Sequence, residues 1–276
     1  MAAAYALIIA LATLVGAVCG MGGGVIIKPL LDAVSGLSSF QIGVVSGVCV
    51  LAMSVSSLIR HLFARTEFRP GLTLCLALGS AAGGVFGDLL YDLACGAVEG
   101  IWGESGDLIV QIVQNALLAL LIALVLAYML ALRPRGVCLH MKSPLFSVCL
   151  GAALGLLSSF LGIGGGPVNV CAFCLFYGMD AREAAPASLI TILFSQLSKF
   201  AAMFLSGSFY GQAVFGSALS PWLLAVLAAV AAACGIAGAA LNRRLSGRAV
   251  NAVYCAALAA VLLLCVYNIV SKSLSL

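Results

Sequence analysis

Eight long apolar runs decide what this chain can fold into. They cover Tyr5–Val34, Phe40–Ile59, Pro70–Ala94, Val110–Leu132, Pro144–Tyr177, Ala185–Ser206, Ser220–Leu241 and Asn251–Val270. A helix needs about 20 apolar residues to span a bilayer, and six of the runs fit that length. The runs are continuous, whereas the strands of an outer-membrane barrel alternate apolar and polar residues. Composition agrees with the helical reading. The chain is 64% hydrophobic and 8% charged, against about half and about a quarter in a soluble domain. These values exclude a soluble enzyme, a disordered chain and a nucleic-acid binder. The expected class is an all-α polytopic membrane protein.

Two runs are too long for one span. Tyr5–Val34 would make a helix of about 45 Å and Pro144–Tyr177 one of about 51 Å, while the hydrocarbon core is about 30 Å thick. Both carry a glycine cluster. Residues 20–24 read Gly-Met-Gly-Gly-Gly, and residues 162–166 read Gly-Ile-Gly-Gly-Gly. Successive glycines break a helix, so each run is expected to be a broken helix or a re-entrant hairpin. The clusters are 142 residues apart, about half the chain, and each precedes three further apolar runs. That spacing reads as an internal duplication. Repeat 1 is residues 1–132, residues 133–142 are a linker, and repeat 2 is residues 143–276, all within one transmembrane domain.

Loop charges set the expected orientation. Arg60, Arg65 and Arg69 follow the second run, Arg133, Arg135 and Lys142 the fourth, and Arg243, Arg244 and Arg248 the seventh. Asp88, Asp92, Glu99, Glu104 and Asp107 are assigned to the junction of the third and fourth, and the 207–219 loop has no charge. The positive-inside rule puts the basic loops in the cytoplasm. The crossings then count correctly only if the first and fifth runs enter and return on the same side. Both termini fall outside, and the two repeats have opposite orientation. A bacterial inner membrane is the expected location. The first 20 residues lack a basic n-region, so they read as mature protein and not as a signal peptide.

Inverted repeats with broken helices point to a transporter site near the membrane midplane. Pro167 directly follows Gly166, and Pro favours the first position of a helix. Each cluster is therefore expected to open a short half-helix. Helix N-termini carry free N–H donors and partial positive charge, and bind anions. The candidate substrate-binding residues are Gly20, Gly22, Gly23, Gly24, Gly162, Gly164, Gly165 and Gly166, with Lys28 one turn past the first cluster. Asn169 lies three residues past Gly166. Ser188 and Thr191, with Ser195, share a helical face that could line a polar path, although such hydroxyls also bond their own helix. Gly79, Gly83 and Gly87, and Gly235 with Ala239, read as close helix packing. Lys199 is placed near a helix end and His61 in a solvated loop. No Asp or Glu is placed in the middle of a run, which leaves a proton relay without a carrier.

The eleven cysteines lie mainly in apolar runs and behave there as small apolar residues. Cys171 and Cys174 form a C-x-x-C whose plainer reading is lipid-phase filler. No hydrolase, kinase, metal or cofactor motif is present, so neither a cofactor nor a catalytic residue is expected.

The residues around the clusters resemble the TauE/SafE family, the sulfite exporter or toluene-sulfonate uptake permeases. Its signature is a duplicated G-x-G-G-G-x-x-x-x-P-x-L. Gly20 through Leu31 matches it, with Pro29 at the proline position. The second copy keeps Gly162 through Gly166, but Cys171 stands where proline would be. Ala184-Ala185-Pro186-Ala187-Ser188-Leu189 approximates the family's A-x-x-T-S-L, while the first-half counterpart near Gly43 to Ser46 is degenerate. The resemblance implies a secondary transporter of a small anion such as sulfite, an organosulfonate or a carboxylate. Its partners would be that anion, the lipid bilayer and a coupling ion, H+ or Na+; a homo-oligomer is open. Two alternatives stand beside it. One is a passive anion channel, the other a membrane-embedded thiol enzyme or assembly factor using Cys19, Cys171 or Cys174.

Overall fold

A computed structural model describes residues 2–63, 70–206 and 219–274. Arg65, Arg69 and residues 207–218 of the uncharged loop, all used for the orientation, lie outside the described residues. The chain forms α1 (Ala2–Cys19), α2 (Gly24–Val34), α3 (Ser39–Phe63), α4 (Pro70–Trp102), α5 (Gly106–Ala127), α6 (Pro144–Leu161), α7 (Gly166–Tyr177), α8 (Ala181–Ser206), α9 (Pro221–Arg244) and α10 (Gly247–Ser273). No strand occurs among the described residues. Seven helices are long and apolar enough to cross a membrane: α3, α4, α5 with its continuation to Arg135, α6, α8, α9 and α10. The protein is an integral membrane protein.

Local sequence explains where several helices start. Ser143, Ser220 and Ser246 each accept a backbone N–H from three residues ahead at the starts of α6, α9 and α10. A serine cap satisfies one of the free donors of a first turn. Pro144 and Pro221 follow two of these caps, where the missing N–H costs nothing.

Both over-long runs are broken at the glycines. Gly20, Gly22, Gly23, Gly162, Gly164 and Gly165 all have φ between 65° and 79°, where a side chain costs roughly 1–2 kcal/mol. The second break reverses the chain. Tyr177 Oη donates to Ser147 Oγ at 2.8 Å, and the Phe146 and Phe176 rings lie 5.1 Å apart. The end of α7 is thus beside the start of α6. In the first run Gly23 folds back on α1: a Cβ on it would lie 3.1 Å from the Ala12 carbonyl oxygen. Both runs are helical hairpins.

The hairpins are held by helices from the other half of the chain. α4 packs on α6 and α8, α9 packs on α1 and α3, and α5 packs on α10. The α4–α6 contact is a ridge of glycines. A Cβ at Gly79, Gly83 or Gly87 would come within 2.1, 2.0 and 2.4 Å of the carbonyls of Val148, Ala152 and Leu156. Gly235 meets Met53 and Ser56 in the same way. These glycines serve close packing, as their four-residue spacing predicts.

Apart from a few buried charges, the charged residues lie at the two ends of the bundle. Arg133 donates to Asn251 Oδ1 at 2.7 Å, and Arg182 to the Arg243 carbonyl at 2.6 Å. Leu139 and Met141 of the linker bond to the carbonyls of Leu175 and Phe176. Those contacts gather the basic linker, the start of α8 and the α9–α10 turn at one end. At the other end Asp107 accepts from the Ser39 N–H at 3.1 Å, and Lys272 bonds Gln111.

Several sequence expectations fail here. Asp88 is not at the end of a run: α4 continues eight residues past Ala94, to Trp102, so Asp88 sits in its middle. Once formed, a helix gains one backbone hydrogen bond for each added residue, so α4 runs on past Asp88 and Asp92 through residues 95–102. His61 is not a solvated loop residue. α3 extends to Phe63 and buries His61, 1% exposed. Asp32 is a buried carboxylate within α2.

Candidate functional site

The two glycine clusters meet in the interior, backbone against backbone. A Cβ on Gly24 would stand 2.3 Å from the Ile163 carbonyl oxygen, and one on Gly166 only 1.7 Å from that of Met21. Gly22 and Gly164 face each other between Val50 and Ile192. Only glycine permits this approach. Gly20 packs on Ala185, and its carbonyl accepts from Ser188 Oγ at 2.7 Å.

The predicted side chains fall into two groups. Ser188 and Thr191 are spent on backbone, Thr191 Oγ1 donating to the Ala187 carbonyl at 2.7 Å. Ser195 Oγ lies 3.4 Å from both Ser159 Oγ and the Gly155 carbonyl. These three hydroxyls are used structurally. Asn169 differs: it is buried, and its Oδ1 has no hydrogen-bond partner among the described residues. Ser46 Oγ, beside Gly24, and Ser158 Oγ, beside Gly165, are buried in the same condition. Polar atoms without partners therefore cluster at the start of both half-helices.

Lys28 stands at the edge of this contact and is 3% exposed, so it does not snorkel. Its Nζ donates to Gln114 Oε1 at 2.5 Å and to the Leu161 carbonyl at 2.8 Å. A Cβ on Gly162 would be 3.4 Å from that Nζ. Lys28 and Gly162 line a buried cleft with Gln114, Asp88, Tyr91 and Lys199. Its cavity volume is about 10 Å³, roughly the room one water needs. Across it Lys199 pairs with Asp88 at 3.6 Å and stands over the Tyr91 ring at 5.9 Å. Lys199 lies in the C-terminal third of α8, toward its end at Ser206, and is buried there. The walls carry two ammonium groups and one carboxylate, an excess of one positive charge.

Of the residues picked from sequence, only Lys28 and Gly162 line this cleft. Gly20, Gly22, Gly23, Gly24, Gly164, Gly165, Gly166, Asn169, Ser188 and Thr191 do not line it. Sequence reasoning missed Gln114, Asp88, Tyr91 and the inward position of Lys199. One signal was available: Gln111, Gln114 and Asn115 recur at helical spacing inside an apolar run, and all three are buried. All eleven cysteines are free, with Cys19 and Cys174 buried. No group of three or more metal-ligating side chains occurs among the described residues.

Two broken helices whose breaks meet inside a bundle of apolar helices, beside a buried cleft walled by Lys28, Lys199 and Asp88, define a polytopic helical membrane protein. The chain belongs to the sulfite exporter TauE/SafE family, whose family model matches residues 5–265. No curated protein and no solved structure matches it.

Proposed function

We propose that the protein is a secondary transporter, an exporter or permease, of a small anion. Sulfite or an organosulfonate is the substrate class that the family membership favours. The observation that carries the reading is the cleft: Lys28 and Lys199, from opposite halves of the chain, converge on the Gly162 turn with a net positive charge. The substrate binds between the two ammoniums and displaces Asp88 from Lys199, and the half-helix starts lend it their partial positive charge from behind the cleft wall. Gly20, Gly22, Gly23, Gly24, Gly164, Gly165 and Gly166 let those starts approach, and the Ser158 hydroxyl is the unpartnered donor beside them, with Asn169 placing its amide in the same first turn. Ser188 and Thr191 hold backbone around the site.

The chain is read as two inverted repeats, residues 1–132 and 143–276, each a hairpin followed by three spanning helices. The crosswise packing of α4 on α6 and α8, and of α9 on α1 and α3, supports this. The gathering of basic residues at one end supports a cytoplasmic linker and outside termini. The cleft holds about one water, which favours alternating access over an open channel. The test is sulfite and sulfoacetate uptake into proteoliposomes. Accumulation against a gradient supports the transporter, and flux that only equilibrates the two sides overturns it.

A further inference from the structure

A second buried polar cluster joins α2, α5 and α10. Asp32 stands one turn past Lys28 and is 6% exposed. Its Oδ2 accepts from Asn115 Nδ2 at 2.9 Å. Asn268 Nδ2 donates to the Pro29 carbonyl at 2.8 Å and reaches Asn115 Oδ1 at 3.4 Å. These bonds fix the orientation of both amides, because their nitrogens face acceptors. What remains is two oxygens, Asp32 Oδ1 and Asn268 Oδ1, both buried and both without a hydrogen-bond partner among the described residues.

Two acceptors cannot satisfy each other. A buried carboxylate oxygen without a donor is among the costlier groups to leave in an apolar interior. One proton on Asp32 Oδ1 relieves the costlier of the two, the bare carboxylate oxygen. It removes the buried charge and leaves Oδ2 to accept from Asn115 Nδ2. A hard metal ion is a poorer match, because it takes about six oxygens or more, and the cluster offers Asp32 Oδ1, Asn268 Oδ1 and Asn115 Oδ1. The groups within electrostatic reach of Asp32 are Lys28 on its own helix, Asp107 on α5, and Lys272 and the Cys265 thiol on α10.

We infer that Asp32 is a proton-binding residue, held by Asn115 and Asn268, one turn from the anion cleft. The step is a simple protonation: Oδ1 takes one proton from water, an O–H bond forms and the carboxylate becomes neutral. Its consequence for transport rests on the anion reading. A neutral Asp32 leaves the charge of Lys28 to the substrate, so proton and anion occupy the protein together. Lys28 and Lys199 then serve the anion, and Asp32 supplies the proton carrier that the sequence lacked.

Infrared difference spectroscopy of the purified protein tests the assignment without any anion. The wild type is expected to show a carboxylic-acid carbonyl band that grows as the pH is lowered. The band is expected to vanish in Asp32→Asn, to persist in Asp88→Asn, and to shift in Asn115→Leu, which removes the donor to Asp32 Oδ2. No such band in the wild type, or an unchanged band in Asp32→Asn, overturns the proton site. Adding sulfoacetate separates the two readings. A band that grows on addition supports coupling. A band indifferent to sulfoacetate, in protein that sulfoacetate stabilises thermally, overturns the coupling while leaving anion binding in place.

Discussion

Lys28 is the residue on which the anion reading turns. A hydrogen bond to a charged group contributes about 1.5–3 kcal/mol, so Lys28→Met is expected to weaken anion binding by roughly ten- to a hundredfold, read by titration calorimetry. Asp88→Asn acts in the opposite direction on binding. It frees Lys199 for the substrate, so affinity rises, while an unpaired buried ammonium costs about 3–5 kcal/mol of stability. Tighter binding with a lower melting temperature is the signature to look for. The glycines differ among themselves. Gly162→Ala meets nothing closer than 3.4 Å, so it bears only the roughly 1–2 kcal/mol strain of its positive φ and should fold, whereas Gly166→Ala would drive its Cβ into the Met21 carbonyl and should not accumulate. Lys28 and the clusters were legible because a charge or a triple glycine is out of place in an apolar run. Asp88, Asn115 and Asn268 were not, because their meaning lies in partners 83 to 239 residues away.

Among the elements, the hairpins and the α4–α6 ridge carry the architecture. The breaks were legible from length and the glycine clusters, since neither run fits the bilayer as one helix, and loop charge then favoured hairpins over broken spans. The ridge was legible from spacing, but its partner was not: nothing in Gly79, Gly83 and Gly87 says that they face α6. A Gly83→Leu change overfills a contact where backbone already touches backbone. It should lower the detergent melting temperature strongly, whereas Gly96→Leu, in the open part of α4, should leave it nearly unchanged. The ends of α3 and α4 were misread for one reason. Apolar pattern reports burial in lipid, while helical hydrogen bonding runs on past it, and His61 and Asp88 were misplaced accordingly.

For the molecule as a whole, the sorting of charge predicts orientation. Cys138 lies in the linker near His140, at the basic end. In a variant that keeps Cys138 alone, a membrane-impermeant maleimide should label inside-out vesicles and spare intact cells. Labelling of intact cells would reverse the orientation. The sequence conveyed this much because loop charge is a property of composition. It could not convey that the two halves interlock, each bracing the hairpin of the other.

The central claim is that a small anion binds at the junction of the two hairpins. The most direct test is thermal stability of the detergent-purified protein with sulfite, sulfate, thiosulfate, sulfoacetate and simple carboxylates, with zwitterionic taurine as control. A bound ligand stabilises the fold by about 2.7 kcal/mol at a hundredfold excess over its dissociation constant. The account predicts a shift with sulfite or a sulfonate, lost in Lys28→Met and absent with taurine. If no anion shifts the folded wild type, or if Lys28→Met responds as the wild type does, the site is elsewhere and the account is contradicted.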